Sequence, residues 1–254
     1  MATRMLVTDL DGTLVRHDLA GPDPGLGRLL AALPALRRDA LLVYATGRTM
    51  AQARRLQAER GFPEPDVWVT EVGASIAYAT GGCDLAWDAH IAKAWHRATV
   101  ERTCDAEPAL VRQPEEAMGV FKLAYRLPPA AAAALLPGLG ARLRALGVPV
   151  RLIYSSQRDL DVVPAAAGKG NAVAYLLRRY GIPLGRVLTC GDSANDRDML
   201  SLGGPAVVVG NALEELVGGP LPATVYWARG GGPDGILEAL AHYGWLAAPA
   251  VRTA

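Results

Sequence analysis

The sequence predicts an α/β fold: a doubly wound parallel sheet with an inserted smaller α+β cap domain. Three observations carry that reading. Short apolar runs alternate with amphipathic stretches at both ends of the chain, the pattern of strands joined by crossover helices. Acidic, hydroxyl, Lys and Asn side chains recur just after these runs, at strand ends and helix starts, where such sheets gather ligands. The middle of the chain, from about Gly81 to Leu160, breaks the alternation with two Trp, Pro-flanked Ala runs and strand-like pieces. The expected division is therefore a discontinuous core, 1–80 and 162–254, around a cap at 81–161.

The elements follow in order. Met5-Leu6-Val7-Thr8 is a buried strand that runs into Asp9-Leu10-Asp11-Gly12-Thr13-Leu14. Two carboxylates at the end of a buried strand need a cation to offset their desolvation, and a hard divalent ion such as Mg²⁺ suits oxygen ligands. Gly12 lets the chain turn sharply there, although Asp-Gly is also an ordinary turn signal. A second strand, Leu41 to Ala45, ends in Thr46-Gly47-Arg48-Thr49, and Met50, Ala53 and Leu56 mark a helix to Arg60 that Gly61 stops. A third strand, Val67 to Thr70, leads into Glu71-Val72-Gly73-Ala74-Ser75-Ile76. In the insert, strand-like Phe121 to Tyr125 and Val150 to Tyr154 flank a solvent-facing helix from Ala131 to Leu146. Alternation then resumes: Val173, Leu176, Leu177 and Tyr180 share a helical face that begins near Gly168-Lys169-Gly170 and ends at Gly181. Strand Arg186 to Cys190 precedes Gly191-Asp192-Ser193-Ala194-Asn195-Asp196. Strand Ala206 to Val209, a Leu-Glu-Glu-Leu helix and a last helix from Gly235 to Tyr243 complete the reading.

Bulk properties exclude several function classes. The 254 residues are 51% hydrophobic, and 26 basic residues nearly cancel 25 acidic ones, so no whole-molecule field draws in nucleic acid or anionic membrane. Cys83, Cys104 and Cys190 are odd in number and lack Cys-x-x-Cys spacing, which supports neither a disulfide framework nor a zinc site. The first apolar run is interrupted by Asp9 and Asp11, unlike a signal peptide, and the longest uncharged stretches fall short of the roughly 20 residues of a membrane span. A cytoplasmic location is expected. Gly170 follows Lys169 where a nucleotide-binding P-loop needs Ser or Thr, and Gly230-Gly231-Gly232 reads as a loop.

In order and type, Asp9 with Asp11, Thr46 with Gly47, Lys169, and Asp192 with Asn195 and Asp196 resemble the four motifs of the haloacid dehalogenase superfamily. The insert between the second and third motifs resembles its larger α/β cap. Within that superfamily, Phe121-Lys122-Leu123-Ala124-Tyr125 with upstream Gln113, and Ile153-Tyr154-Ser155-Ser156 through Arg158-Asp159-Leu160-Asp161-Val162-Val163-Pro164 to Ala167-Gly168-Lys169-Gly170-Asn171, look like the sucrose-phosphate phosphatase family. Glu71-Val72-Gly73-Ala74-Ser75-Ile76 departs from that family's pattern and lies closer to general sugar-phosphate and mannosylglycerate-phosphate phosphatases, and Ala194 stands where the fourth motif usually has Gly.

The resemblance implies Mg²⁺-dependent removal of phosphate from a small phosphorylated sugar. It makes Asp9 a nucleophile that forms an aspartyl-phosphate, and Asp11 the acid and base, protonated at the start. It places Mg²⁺ on Asp9, Asp192 and the backbone carbonyl near Asp11. Thr46, Gly47, Lys169 and Asn195 would bind the phosphoryl oxygens, with Ser193 and Asp196 supporting them. In the cap, Lys122, Tyr125, Tyr154, Arg158 and Asp159 are the candidates for sugar hydroxyls. Trp87 and Trp95 are expected in the cap core, and His90 and His96 on the surface. Rival readings are a broad Cof-type phosphatase, a mutase or phosphotransferase with the same intermediate, and a non-catalytic sugar-phosphate binder. Monomer and homodimer both remain open.

Overall fold

A computed structural model describes residues 2–19 and 21–246. The chain enters with β1 (Arg4–Thr8), α1 (Pro24–Leu36), β2 (Ala40–Ala45), α2 (Met50–Arg60), β3 (Val67–Thr70), β4 (Ser75–Tyr78) and α3 (Leu85–Ile91). The insert follows as α4 (Arg97–Asp105), β5 (Val111–Arg112), β6 (Leu123–Arg126), α5 (Pro129–Ala145), β7 (Val150–Ser155) and β8 (Asp159–Pro164). The return leg is α6 (Lys169–Tyr180), β9 (Val187–Gly191), α7 (Arg197–Leu200), β10 (Ala206–Val208), α8 (Glu214–Val217), β11 (Tyr226–Trp227) and α9 (Pro233–His242).

The larger sheet has strand order β11-β10-β9-β1-β2-β3-β4, parallel throughout except for β4, which pairs antiparallel with β3 at one edge. β1 lies in the middle, hydrogen-bonded to β2 on one side and β9 on the other. A central strand covered on both faces has no solvent side, so its sequence is a continuous apolar run. Alternate residues then serve opposite layers. Leu6 packs with Leu29, Leu33, Leu56 and Ile236 from α1, α2 and α9. Met5 and Val7 pack with Trp87, Val173, Leu176 and Met199 from α3, α6 and α7.

Two features of this core were not anticipated. Helix α1 escaped the pattern reading, although Asp23 caps it by accepting the Gly25 amide at 2.8 Å, Pro24 opens it and leucines recur along its buried face. Trp87, expected in the cap core, is instead part of the main core. Its indole nitrogen donates to the Gly73 carbonyl at 3.1 Å and its ring lies 5.1 Å from that of Tyr175. Asp84, which caps α3, also accepts the Tyr175 hydroxyl at 3.0 Å and so ties this helix to α6. Trp95 does pack against the insert's cluster.

The insert forms a four-stranded antiparallel sheet, β5-β6-β8-β7. Val100 and Cys104 of α4 and Leu139 and Leu143 of α5 cover one face, meeting Leu123, Tyr125, Leu160 and Val162. The opposite face carries Ala124, Arg126, Asp159 and Asp161 and looks toward the core. Cys104 and Cys190 are buried, Cys83 is exposed, and all are free thiols. Among the described residues no helix is long and apolar enough to cross a membrane.

Candidate active site

A cavity of about 640 Å³ lies between the carboxyl ends of the central strands and the open face of the cap sheet. The core contributes Asp9, Asp11, Gly47, Arg48, Asp192, Ser193 and Asn195 to its walls. The cap contributes Gln113, Lys122, Arg126, Ser155, Arg158, Asp159 and Asp161.

Lys169 organises the floor. It is completely buried at the first position of α6, and its ammonium donates to Asp9 Oδ1 at 2.7 Å, Asp196 Oδ1 at 2.7 Å and Asn195 Oδ1 at 2.9 Å. Burial disfavours its charge, but Asp196 and Asp9 outweigh that and hold its pKa above the ordinary lysine value. Asp196 is fixed in turn by a capping box: its Oδ2 accepts the amides of Asp192 and Ser193, both at 3.1 Å. All of its oxygens are thus engaged by the protein. Thr46 is also fully buried, and its hydroxyl accepts the Arg48 amide at 3.2 Å, leaving its proton free. Thr46 and Lys169 therefore sit beneath the cavity, whereas Gly47 and Asn195 line it.

Asp11 departs from expectation. Its carboxylate receives both arms of Arg48, Nε at 2.7 Å and NH2 at 2.6 Å, and His17 Nε2 at 2.7 Å. Burial alone would raise its pKa, but the Arg48 and His17 hydrogen bonds prevail and hold it well below the usual carboxylate range. Turned to Arg48, Asp11 favours its ionised form here, whereas the resemblance implies a protonated acid at the start of the reaction. Neither Arg48 nor His17 was singled out from sequence; the position of Arg48 one residue after Gly47 was the available signal.

The acids near Lys169 carry excess negative charge. Carboxylate oxygens of Asp9, Asp192 and Asp196 all lie within 4.8 Å of one another, against the single cation of Lys169. Burial and the neighbouring Asp196 push Asp192 up to about 7, although Thr13 Oγ1 donates to its Oδ1 at 2.9 Å. Burial, with Asp196, Asp192 and Asp11 adding to it, raises Asp9 well above the carboxylate norm despite Lys169. Gly12 brings the turn close, at φ 80°, where a Cβ would collide with the Asp192 carboxylate. Both Asp196 oxygens accept hydrogen bonds, whereas in Asp9 and Asp192 only Oδ1 does, so the freer acceptors belong to Asp9 and Asp192. This hard-oxygen pair, short of positive charge, fits a divalent cation. Asp11 contributes no carboxylate oxygen to that cluster, and the ligand that the resemblance implies there is a backbone carbonyl near it.

On the cap, strand alternation sorts the expected sugar contacts. Arg158 and Asp159 line the cavity, with Asp159 accepting Gln113 Nε2 at 3.0 Å and lying 2.8 Å from Arg126. Lys122 is buried at the cap–core seam, donating to the Gly47 carbonyl at 2.8 Å and lying 3.3 Å from Asp161. Tyr125 and Tyr154 are not in the cavity. Tyr125 shares the apolar face with Leu123 and bonds Asp105 at 2.9 Å; Tyr154 faces the same layer and donates to the Leu127 carbonyl at 3.1 Å. Arg126, Ser155 and Asp161, on the other face, take their place.

Comparison with known proteins agrees with this architecture. The sequence model of the sucrose-6F-phosphate phosphohydrolase family matches residues 2–244. The chain is 35% identical over 222 residues to sucrose-phosphatase 2 of Nicotiana tabacum, covering 85% of this chain and 52% of that protein. It thus spans about half the length of the first curated relatives it matches. Mannosylfructose-phosphate phosphatase of Agrobacterium fabrum is 32% identical over 246 residues, which covers 95% of this chain and 97% of that one. The solved sucrose-phosphatase of Synechocystis sp., in complex with sucrose and phosphate, superposes with a TM-score of 0.89 at 34% identity, over 96% of this chain and 99% of that one.

Proposed function

The chain belongs to the sucrose-6F-phosphate phosphohydrolase family, and on that premise we propose that it is a phosphoric monoester hydrolase acting on a phosphorylated disaccharide, with sucrose phosphate favoured. The observation that carries this reading is Asp9, held by buried Lys169 at the floor of a cavity whose roof is the polar face of the cap sheet.

Asp9 attacks phosphorus and the bond to the sugar oxygen breaks, leaving an aspartyl-phosphate. Lys169, the Thr46 hydroxyl and the Gly47 amide meet charge that builds on the transferring phosphoryl oxygens. Asp11, ionised while Arg48 and His17 hold it, takes up a proton from solvent as substrate binds, passes it to the leaving oxygen and later takes one from the water that opens the aspartyl-phosphate. To do so it exchanges its Arg48 and His17 partners, and the dianionic phosphate offers Arg48 an alternative anion. Asp9, Asp192 and a backbone carbonyl near Asp11 would hold Mg²⁺, which would supply a Lewis acid that screens repulsion between carboxylate and phosphate. Arg126, Arg158, Asp159 and Asp161 present donors and acceptors to sugar hydroxyls. The full-length likeness to a mannosylfructose-phosphate phosphatase supports a second disaccharide phosphate as the alternative substrate.

A phosphate-release assay across sucrose 6-phosphate, mannosylfructose phosphate, glucose 6-phosphate and p-nitrophenyl phosphate ranks the leaving groups by kcat/KM. Disaccharide phosphates are expected to exceed glucose 6-phosphate by about 100-fold, because only they reach both core and cap. A flat profile points to a broad scavenger, and no release from any ester to a non-catalytic binder.

Metal dependence carries a pH signature. Asp192, and Asp9 with it, have native pKa values raised above their unfolded ones, so the metal-free native state retains protons that the unfolded chain releases. Metal-free stability is therefore expected to fall as pH rises from about 4 through about 7, by at most about 1.4 kcal/mol per pH unit for each such group. Mg²⁺ binds the ionised carboxylates, so its gain in Tm is expected to be larger at pH 8 than at pH 5.5. Melts with EDTA and with excess Mg²⁺ check this; an equal gain at both pH values contradicts it.

A further inference from the structure

Glu215, in the short helix α8 and outside every motif above, touches both walls of the cavity. Its Oε1 accepts the Ser156 amide at 2.8 Å and its Oε2 the Gln157 amide at 3.1 Å. Oε1 also accepts the Ala194 amide at 3.2 Å. Ser156 and Gln157 form the tip of the β7–β8 hairpin of the cap, while Ala194 lies between Asp192 and Asn195 in the core. One carboxylate therefore joins the cap's tip to the loop that carries the phosphate-binding Asn195.

The tip needs such a partner. Ser156 and Gln157 have φ of 55° and 49°, consecutive left-handed positions in a tight hairpin. Such turns favour Gly, Asn or Asp, and neither residue is one of these. Two charge-assisted bonds to Glu215 compensate for the unfavourable backbone. The neighbours of this turn, Ser155, Arg158 and Asp159, line the cavity, so the turn's conformation sets where they stand. Glu215 is itself anchored. Arg197 donates to its carbonyl at 2.6 Å and to that of Pro220 at 3.0 Å, and the Leu213 amide donates to the Asp192 carbonyl at 2.8 Å. The carboxylate is thus presented from backbone tied to the Asp192 loop.

We propose that Glu215 is a positioning residue that seats the cap's hairpin tip over the Asp192–Asn195 loop, and so favours leaving groups long enough to touch the cap. The proposal rests on the phosphatase reading for its substrate and on geometry alone for the clasp.

The test compares Glu215→Ala and Glu215→Gln with the parent chain on sucrose 6-phosphate and p-nitrophenyl phosphate, alongside amide hydrogen exchange at Ser156 and Gln157 without substrate. In Glu215→Ala, kcat/KM for sucrose 6-phosphate is expected to fall about tenfold further than for p-nitrophenyl phosphate, the difference lying in KM. Glu215→Gln keeps one acceptor oxygen and falls between. Exchange at both amides is expected to accelerate by about tenfold or more in the Ala variant. Equal losses on the two esters, or unchanged exchange at the tip, overturn the proposal. If the parent hydrolyses neither ester, the phosphatase reading fails instead, and the exchange measurement still decides the clasp.

Discussion

Asp9→Asn is expected to abolish hydrolysis of sucrose 6-phosphate, by about 10⁴-fold or more, while leaving the fold intact. Asn matches Asp in size but cannot attack phosphorus, so the loss falls on kcat. Stability is expected to hold or rise in the absence of metal, because a buried carboxylate whose pKa is already raised is removed. Lys169 still keeps Asn195 and Asp196. Phosphate-release kinetics and a thermal melt check both halves together. Turnover within tenfold of the parent, with Mg²⁺ present, would sink the assignment of Asp9 as nucleophile.

Lys169→Met is expected to cost both activity and folding. The side chain has no exposed surface, and its loss strands Asp9 and Asp196 as buried carboxylates without a cation. Removing one partner of a buried pair typically costs about 3–5 kcal/mol, and kcat should fall about 10³-fold through the lost charge on the phosphoryl oxygens. The sign with pH is fixed by linkage: Lys169 is what lowers the Asp9 pKa, so without it Asp9 holds its proton more tightly in the native state and the deficit grows from pH 5 to pH 8. Adding Asp196→Asn should recover part of the stability but none of the rate, a coupling that a double-mutant cycle reads directly. An undiminished Tm at pH 8 would show that this ammonium does not hold the floor together.

The core was legible because its signals are local. Each of Asp9, Thr46 and Asp192 follows an apolar run closely, and Lys169 stands at the start of an amphipathic helix, so periodicity and motif order locate them. Trp87 was misplaced because a lone aromatic on a short helix carries no information about which of two cores will receive it. Tyr125 and Tyr154 were misassigned although period-two alternation was available: Tyr125 shares a face with apolar Leu123, and Arg126 with Ala124. Chemistry suggested a sugar contact where strand geometry had already turned the ring inward. Arg48, His17 and Glu215 were missed for another reason. Their partners lie 6 to 59 residues away in sequence and become neighbours only through the turn after β1 and the closure of cap on core.

The central place of β1 bears on how the chain is made. β1 precedes every other described strand, yet its partner β9 begins only at Val187, after the whole insert. At about 5–20 residues per second, one edge of an apolar strand stays unpaired for roughly 10–40 s of synthesis. Neither the cation of Lys169 nor the capped Asp192 loop exists during that interval, so the acids after β1 wait in solvent beside an open strand edge. The length of the insert thus sets how long that edge stays open to pairing with another strand.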